Sequence, residues 1–231
     1  MTILNKPGPV PDGLGDALAR LAAPPSMQLR DIAALFLGTP ALAEPDDDAE
    51  VHRAVRLRDL SAQELRPDAA LPELPFRAAR AARARVREND LLLAARGSLT
   101  HAVLVPPGSP FVGAVATENL MIVRLHPDAG VRPAVLALLL DHGGELRERV
   151  TSRGALFHLS PDELRTWPVP LLPPAVQDAL EEAFLALRAS IAAAERANRA
   201  RGELLRAMAF AVRAASDRGE LLPLRGERGD G

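Results

Sequence analysis

Five arginines lie close together near the middle of the chain, and their side chains are well suited to binding phosphate. A guanidinium group donates several hydrogen bonds in a fixed geometry that matches phosphate oxygens. If residues 77–83 form a helix, the arginines within it share one broad face, which suits a row of backbone phosphates. The alternative is a solvated face in an arginine-rich protein. The candidates for phosphate contact are Arg77, Arg80, Arg83, Arg85 and Arg87.

Two further segments combine hydrogen-bonding side chains with a glycine, which allows the backbone to approach a ligand closely. Arginine, serine and threonine hold phosphates, whereas polar side chains in the grooves recognise base edges. Both segments are therefore candidate nucleic-acid contacts, with ordinary turn chemistry as the competing interpretation. The first contains Arg96, Ser98, Thr100 and His101, and the second contains Ser152 and Arg153 before Gly154.

Charge is distributed unevenly along the chain. The 231 residues include 28 basic and 30 acidic side chains, and this net charge of -2 argues against a polycation that coats nucleic acid without selectivity. Residues 51–154 nevertheless contain 15 arginines against 11 acidic residues, a net charge of +4. The middle is therefore basic relative to the ends. All the basic residues except Lys6 are arginine, so coding bias accounts for part of this enrichment.

Motifs of several enzyme classes are missing. The single lysine, Lys6, is followed by Pro7, so the sequence has neither a phosphate-binding loop nor a nuclease centre that uses lysine. Without cysteine there is no thiol nucleophile and no cysteine-bound zinc. The five histidines lack metalloprotease spacing, and the run of aspartates at 46–48 is interpreted as a solvated loop. We expect no catalytic residue, no metal site and no cofactor.

Strand and helix patterns predict an α+β fold in which a compact mixed α/β body precedes a long helix. Segments 51–60, 91–95 and 119–125 have strand patterns, and a short charged strand is expected at 85–87. A helical pattern begins at Pro133. The predicted organisation is a loose arm over 1–26, the body over 27–173, the long helix over 174–216 and a flexible tail over 217–231.

Local signals are clearest where the body ends. Ser160, with Pro161 and two acidic residues after it, predicts the start of a helix. Pro168 and Pro170 remove backbone donors and disfavour helix in the residues before them, which predicts an extended path. Trp167 is expected to pack between the body and the long helix rather than to stack on a base.

The long helix carries apolar residues in alternating steps of three and four, the spacing of a coiled-coil seam. A helix of some 40 residues has more surface than its own body can cover, so we expect a partner helix; packing on its own domain is the alternative. Asn198 is polar within the seam, where such a residue fixes register at some cost in stability. The seam contains Phe184, Leu187, Ile191, Asn198, Leu205, Met208 and Val212.

The stretch around the start of this helix resembles specificity subunits of type I restriction-modification systems. Members of that family show a Leu-Ser segment, a short helix, alternating apolar residues and prolines, a Pro-Pro pair and then a glutamine that opens a long helix. Here these places are taken by Leu159, Ser160, 169–171, Pro173-Pro174 and Gln177. Upstream, Asp90 before an apolar strand that ends in Arg96-Gly97 is similar to another family segment, as is Asn119 before a later strand.

This resemblance implies a DNA target recognition domain over 27–173 and a spacer or dimerisation helix over 174–216, without catalysis of its own. Family members typically have two of each element, so the chain resembles a half subunit. The implied partners are double-stranded DNA, a methyltransferase (modification) subunit, a restriction or motor subunit, and a second half subunit or a copy of the chain itself. The sequence also lacks the short methyltransferase motif around its Pro-Pro pairs.

Two other functions remain open at this point. One is a helical assembly module whose body docks a protein partner instead of DNA. The other is a small hydrolase built around His101 or His158 with a nearby acidic residue. The apolar runs are too short to span a membrane and no export signal opens the chain. We therefore expect a cytoplasmic protein without a membrane partner.

Overall fold

The computed structural model describes residues 24–60, 70–97, 102–142 and 157–217. The chain divides into two compact units, Met1–Arg188 and Ala189–Gly231. The predicted N-terminal arm, except Pro24 to Ser26, and the predicted tail, except Asp217, lie outside the described residues.

A four-stranded antiparallel sheet forms the centre of the first unit. Its strands, in the order in which they neighbour one another, are β2 (Ala33–Leu37), β9 (Leu120–Leu125), β5 (Leu91–Ala94) and β7 (Val103–Leu104). Leu91 and Leu93 lie in one hydrophobic cluster and Leu92 in another, so both faces of the sheet are covered. A strand buried on both faces needs no polar alternation, which explains the apolar run in the sequence.

A second sheet has three strands, in the order β4 (Glu73–Arg77), β3 (Ala49–Val55) and β8 (Val115–Ala116). Strands β3 and β4 are antiparallel, whereas β3 and β8 are parallel. The predicted strand over 51–60 ends earlier, at Val55, and a 3-10 turn follows at Leu57–Asp59.

The described residues also form two short two-stranded ribbons. Strand β1 (Ser26–Gln28) pairs with β11 (Pro168–Pro170), and β6 (Arg96–Gly97) pairs with β10 (Phe157–His158). Prolines are tolerated in β11 because the strand has a neighbour on one side only. The predicted extended path at these prolines is confirmed.

Of the five helices in the described ranges, four belong wholly to the first unit, and their boundaries follow local signals. The hydroxyl of Ser160 accepts a hydrogen bond from the amide of Glu163, whose carboxylate accepts one from the amide of Ser160. This reciprocal cap confirms the predicted helix start. The helices are α1 (Leu29–Ile32), α2 (Ala78–Arg83), α3 (Pro133–His142), α4 (Pro161–Arg165) and α5 (Pro174–Asp217).

Trp167 is buried in the larger hydrophobic cluster, together with Leu164, Val169 and Phe184. Because Phe184 belongs to α5, the packing role predicted for Trp167 is confirmed. The cluster also contains apolar side chains of α3, such as Val135 and Leu136, so the first turns of α5 are part of the same core.

Gly38 follows β2 at a point where two backbone segments nearly touch. A Cβ atom at this position would lie 2.1 Å from the carbonyl oxygen of Thr117. The amide of Gly38 donates a hydrogen bond to the carbonyl of Leu120, and the amide of Thr39 donates one to Ala116. Only glycine fits at position 38, because the opposing atoms are backbone and cannot rotate away.

Two sequence expectations need correction. The predicted charged strand at 85–87 is absent; Arg85 forms an isolated bridge with Val115, and Val86 is buried. The predicted helix over 77–83 begins one residue later, at Ala78, and Arg77 is the last residue of β4.

The described part of the second unit is helical through Asp217. Its large apolar side chains are exposed: Leu204, Leu205, Met208, Phe210 and Val212. No helix in the described ranges combines the length and apolarity that crossing a membrane requires.

Candidate nucleic-acid interface

Helix α2 directs two of the predicted arginines towards solvent. Ala81 and Ala84, three residues apart, are buried, so they mark the side of this segment that faces the core. Arg80 and Arg83 precede them by one residue each and are exposed. Neither forms an ion pair with a residue in the described ranges.

The two arginines line an open groove of about 390 Å³, which we call the arginine groove. One wall is the end of β2 and the loop that follows it, and the other walls come from α2 and α4. Arg165 of α4 adds a third guanidinium group. The groove is lined by residues 35–40, Arg80, Arg83, Pro161 and Arg165.

Arg165 was not a candidate in the sequence. The cap at Ser160 predicts α4 correctly, but no local pattern indicates that α4 and α2 converge. Arg165 also forms an ion pair with Asp162, at 2.6 Å, on the exposed side of α4. Its charge is therefore shared with one solvated carboxylate.

Arg77 lies apart from the groove lining. Its guanidinium group is 3.4 Å from the carboxylate of Asp46, and both side chains are about half exposed. The carbonyl of Asp48 accepts a hydrogen bond from the amide of Ala78, at 3.3 Å. The aspartate run thus lies beside the start of α2, where it offsets the charge of Arg77.

The other arginines of the cluster differ in role. Arg85 is half-buried, and its guanidinium group donates a hydrogen bond to the carbonyl of Gly113 at 3.3 Å, a structural contact. Arg87 is exposed, as is Arg96 on β6. The five arginines therefore do not form one continuous row of free side chains.

Ser98, Thr100, His101, Ser152 and Arg153 lie outside the described residues. The ribbon of β6 and β10 nevertheless pairs Gly97 with Phe157, the described residues that flank these two predicted loops on one side each. His158, a candidate in the hydrolase hypothesis, pairs with Arg96 in the same ribbon.

Asp90 has a structural role in the segment that carries Arg85 and Arg87. It is fully buried and forms an ion pair with Arg124, which also donates to the carbonyl of Arg85 at 2.9 Å. The guanidinium carbon of Arg124 lies 5.1 Å from the ring centre of Phe36, a residue of the groove wall. This pair therefore connects the segment to the central sheet.

Gln177 anchors the beginning of α5. Its side-chain oxygen accepts from the amide of Arg132, at 2.8 Å, and its nitrogen donates to the carbonyls of Gly130 and Leu172. A buried amide is tolerated here because it makes three hydrogen bonds. The glutamine noted in the sequence thus joins the helix to the loop before α3.

Arg132 adds charge to the same anchor. Its guanidinium group donates to Glu181 at 2.5 Å and pairs with Asp178. The hydrogen bond to Glu181 raises the pKa of Arg132, and the charges of Asp178 and Glu181 add to this effect. Because the pKa is raised, this attraction is fully present at neutral pH and is lost only when the pH rises far into the alkaline range.

The predicted partner seam divides into two parts. Phe184 is buried in the core of the first unit, so it does not lie on a free helix face, contrary to expectation. Ile191 is half-buried, and the remaining seam residues are exposed: Leu187, Asn198, Leu205, Met208 and Val212. Sequence reasoning missed three further exposed residues of this helix, Leu185, Leu204 and Phe210, because they fall outside the seam spacing.

Neither a family model nor a curated protein matches the chain. Solved structures do resemble it. One is a chain from work described as the structural basis of complex assembly and conformational transition of the type I R-M system, with 14% identity and a TM-score of 0.55. The similarity covers 87% of this chain and 47% of that chain, so this chain spans about half its length.

Two subunit structures show weaker similarity. The HsdS subunit from Thermoanaerobacter tengcongensis is 15% identical, with a TM-score of 0.49 over 80% of this chain and 44% of that one. The type I restriction-modification S subunit from M. genitalium is 8% identical, with a TM-score of 0.40 over 74% and 39%. The predicted resemblance is thus confirmed at the level of fold: this chain shares the fold of a protein from a type I restriction-modification system.

Proposed function

We propose that this chain is a DNA sequence-specificity subunit of a type I-like restriction-modification complex. The observation that carries the proposal is the set of exposed arginines on a fold shared with a chain of that system. Arg80, Arg83, Arg87 and Arg96 present guanidinium groups to solvent, where phosphate oxygens can reach them. Phosphate contacts of this kind hold a protein in register while other side chains read the bases.

The chain itself carries out no catalysis in this proposal. Residues 27–173 recognise DNA, and residues 174–216 form the partner helix. A methyltransferase subunit supplies modification, and a restriction or motor subunit supplies cleavage. Two copies, or this chain and another half subunit, pair through the exposed residues of α5 to read a two-part sequence in the cytoplasm.

Selection from a pool of random DNA duplexes tests the proposal. The purified chain, alone and with a type I methyltransferase subunit, should enrich one sequence at moderate salt. Enrichment of two separated half-sites would match a paired reader. Recovery of the pool without any preferred sequence, in both conditions, would contradict sequence recognition.

The alternative is an assembly module that binds a protein partner, and the exposed apolar residues of the second unit favour it. Charge reversal at Arg96 and Arg153 separates the two functions. Loss of DNA binding with intact complex assembly supports the specificity subunit. Unchanged function of the complex after both reversals supports the assembly module.

A further inference from the structure

We propose that the arginine groove is a phosphate-binding site that holds the backbone of one DNA strand. This inference rests on the proposed function and extends it, because it assigns Arg80, Arg83 and Arg165 to the backbone and not to the bases. It also adds Thr39 and Arg165, which no sequence pattern indicated.

The first argument is uncompensated charge. Arg80 and Arg83 have no ion-pair partner among the described residues, and both line the groove with Arg165. In the described part of the chain, the one acidic side chain paired with a groove arginine is Asp162, whose carboxylate is 83% exposed and therefore strongly screened by water. The half-buried Arg124, by contrast, is paired with the carboxylate of Asp90. A phosphodiester supplies the anion that the groove lacks.

The second argument is an unused hydrogen-bonding group. Thr39 lines the groove and is only 5% exposed, yet its hydroxyl oxygen has no hydrogen-bond partner among the described residues. Its backbone amide is already bonded to the carbonyl of Ala116 at 2.9 Å. A buried hydroxyl without a partner is unfavourable. A phosphate oxygen or its bound water in the groove would satisfy this hydroxyl.

The third argument concerns which part of DNA fits. Beside the arginines, the wall is apolar, with Phe36, Leu37, Pro40 and Pro161. Among the described residues, the lining contains no asparagine, glutamine, aspartate or glutamate, the side chains that discriminate adenine and cytosine edges. A strand backbone alternates charged phosphate with apolar sugar, which matches guanidinium groups beside an apolar wall. If the arginines contact the backbone, the groove should contribute equally to every DNA sequence, whereas contacts with guanine edges would favour particular duplexes.

The salt dependence of DNA affinity tests this inference on the full chain. Each phosphate contact releases counterions, so removing one should lower the slope of log affinity against log salt by about 1. Arg80→Ala, Arg83→Ala and Arg165→Ala should each weaken binding about tenfold at low salt, to the same extent on preferred and unrelated duplexes. Arg83→Lys should retain the slope, because lysine also binds phosphate. Thr39→Val should weaken binding without changing the slope, since its hydroxyl is neutral.

Arg58→Ala is the matched control, because Arg58 is exposed, lies outside the groove lining and has no ion-pair partner among the described residues. If the groove variants behave like Arg58→Ala, the groove site is wrong while sequence recognition stands. If the wild-type chain binds all duplexes equally and the groove variants weaken that binding, the groove stands and the proposed function fails. Absence of any DNA binding refutes both. Weaker association with the methyltransferase subunit, at an unchanged salt slope, would identify a protein-docking surface and overturn the inference.

Discussion

Asp90 and Arg124 form a two-point ion pair inside the first unit. The Nε atom of Arg124 lies 2.8 Å from one carboxylate oxygen of Asp90, and Nη2 lies 2.7 Å from the other. The second oxygen also accepts a hydrogen bond from the amide of Arg87, at 2.7 Å. Asp90 precedes β5 and Arg124 lies on β9, so the pair ties the turn before one strand to the neighbouring strand.

Breaking this pair should destabilise the fold. We expect Asp90→Asn to lower the free energy of unfolding by about 3 to 5 kcal/mol, because it leaves the half-buried Arg124 cation without its counter-charge. Equilibrium unfolding in denaturant measures the change. Asp31→Asn removes an exposed carboxylate 3.7 Å from Arg30 and should cost less than about 1 kcal/mol. Equal effects of the two substitutions would contradict a structural role for Asp90.

The anchor at Gln177 should be equally sensitive. Gln177→Leu removes three hydrogen bonds and leaves the amide of Arg132 and the carbonyl of Leu172 without this partner. We expect a loss of about 2 to 4 kcal/mol in the free energy of unfolding. Glu182→Gln, on the exposed side of the same helix, should change it by no more than about 0.5 kcal/mol. A stability of Gln177→Leu close to that of the wild type would show that the anchor is dispensable.

Two glycines should respond to alanine in opposite directions. Gly38→Ala places a methyl group against the Thr117 carbonyl, and we expect it to lower the free energy of unfolding by about 1 to 3 kcal/mol. Gly202 lies within α5, where an added Cβ would lie 4.0 Å from the side chain of Arg206 and would meet no clash. Gly202→Ala should stabilise the helix by about 0.5 to 1 kcal/mol. Thermal unfolding and helical circular dichroism measure the two effects; a tolerated alanine at position 38 would contradict the close backbone contact.

The exposed face of the second unit should mediate pairing. Sedimentation equilibrium of the full chain should detect dimers, and Leu205→Glu with Met208→Glu should raise the dissociation constant at least about 100-fold, because burial of each such side chain contributes about 1.5 to 3 kcal/mol. Arg206→Gln, at an exposed polar position of the same helix, is the control. A monomer both alone and with the methyltransferase subunit would refute pairing through this helix.

Sequence reasoning succeeded where structure depends on near neighbours. The strand at 91–94 follows from an uninterrupted apolar run, and the start of α4 follows from Ser160 and Glu163, which bond to each other three residues apart. It failed at 85–87, where alternating charge suggested a strand. There the path of the chain is set by contacts with Asp90, Arg124 and Gly113. The contacting residues are separated by up to 39 positions in the sequence.

The heptad spacing illustrates a related limit. Phe184 and Leu205 occupy equivalent places in one periodic pattern, yet Phe184 is buried with Trp167 in the core and Leu205 is exposed. Periodicity identifies the apolar side of a helix, because it reflects backbone geometry alone. It cannot identify what covers that side, since the first turns of the helix meet a core assembled from distant segments.

The amino-acid sequence alone determined the α+β composition, the helix cap at Ser160 and the extended path at Pro168 and Pro170. It also determined the packing of Trp167 and the resemblance that the fold comparison then supported. These properties arise from hydrogen bonds and side-chain spacing within a few residues. The arginine groove required tertiary structure, because its walls come from residues 35–40, 80–83 and 161–165. Their convergence depends on the packing free energy of three hydrophobic clusters, to which side chains from many separate segments contribute, and no local pattern records that sum.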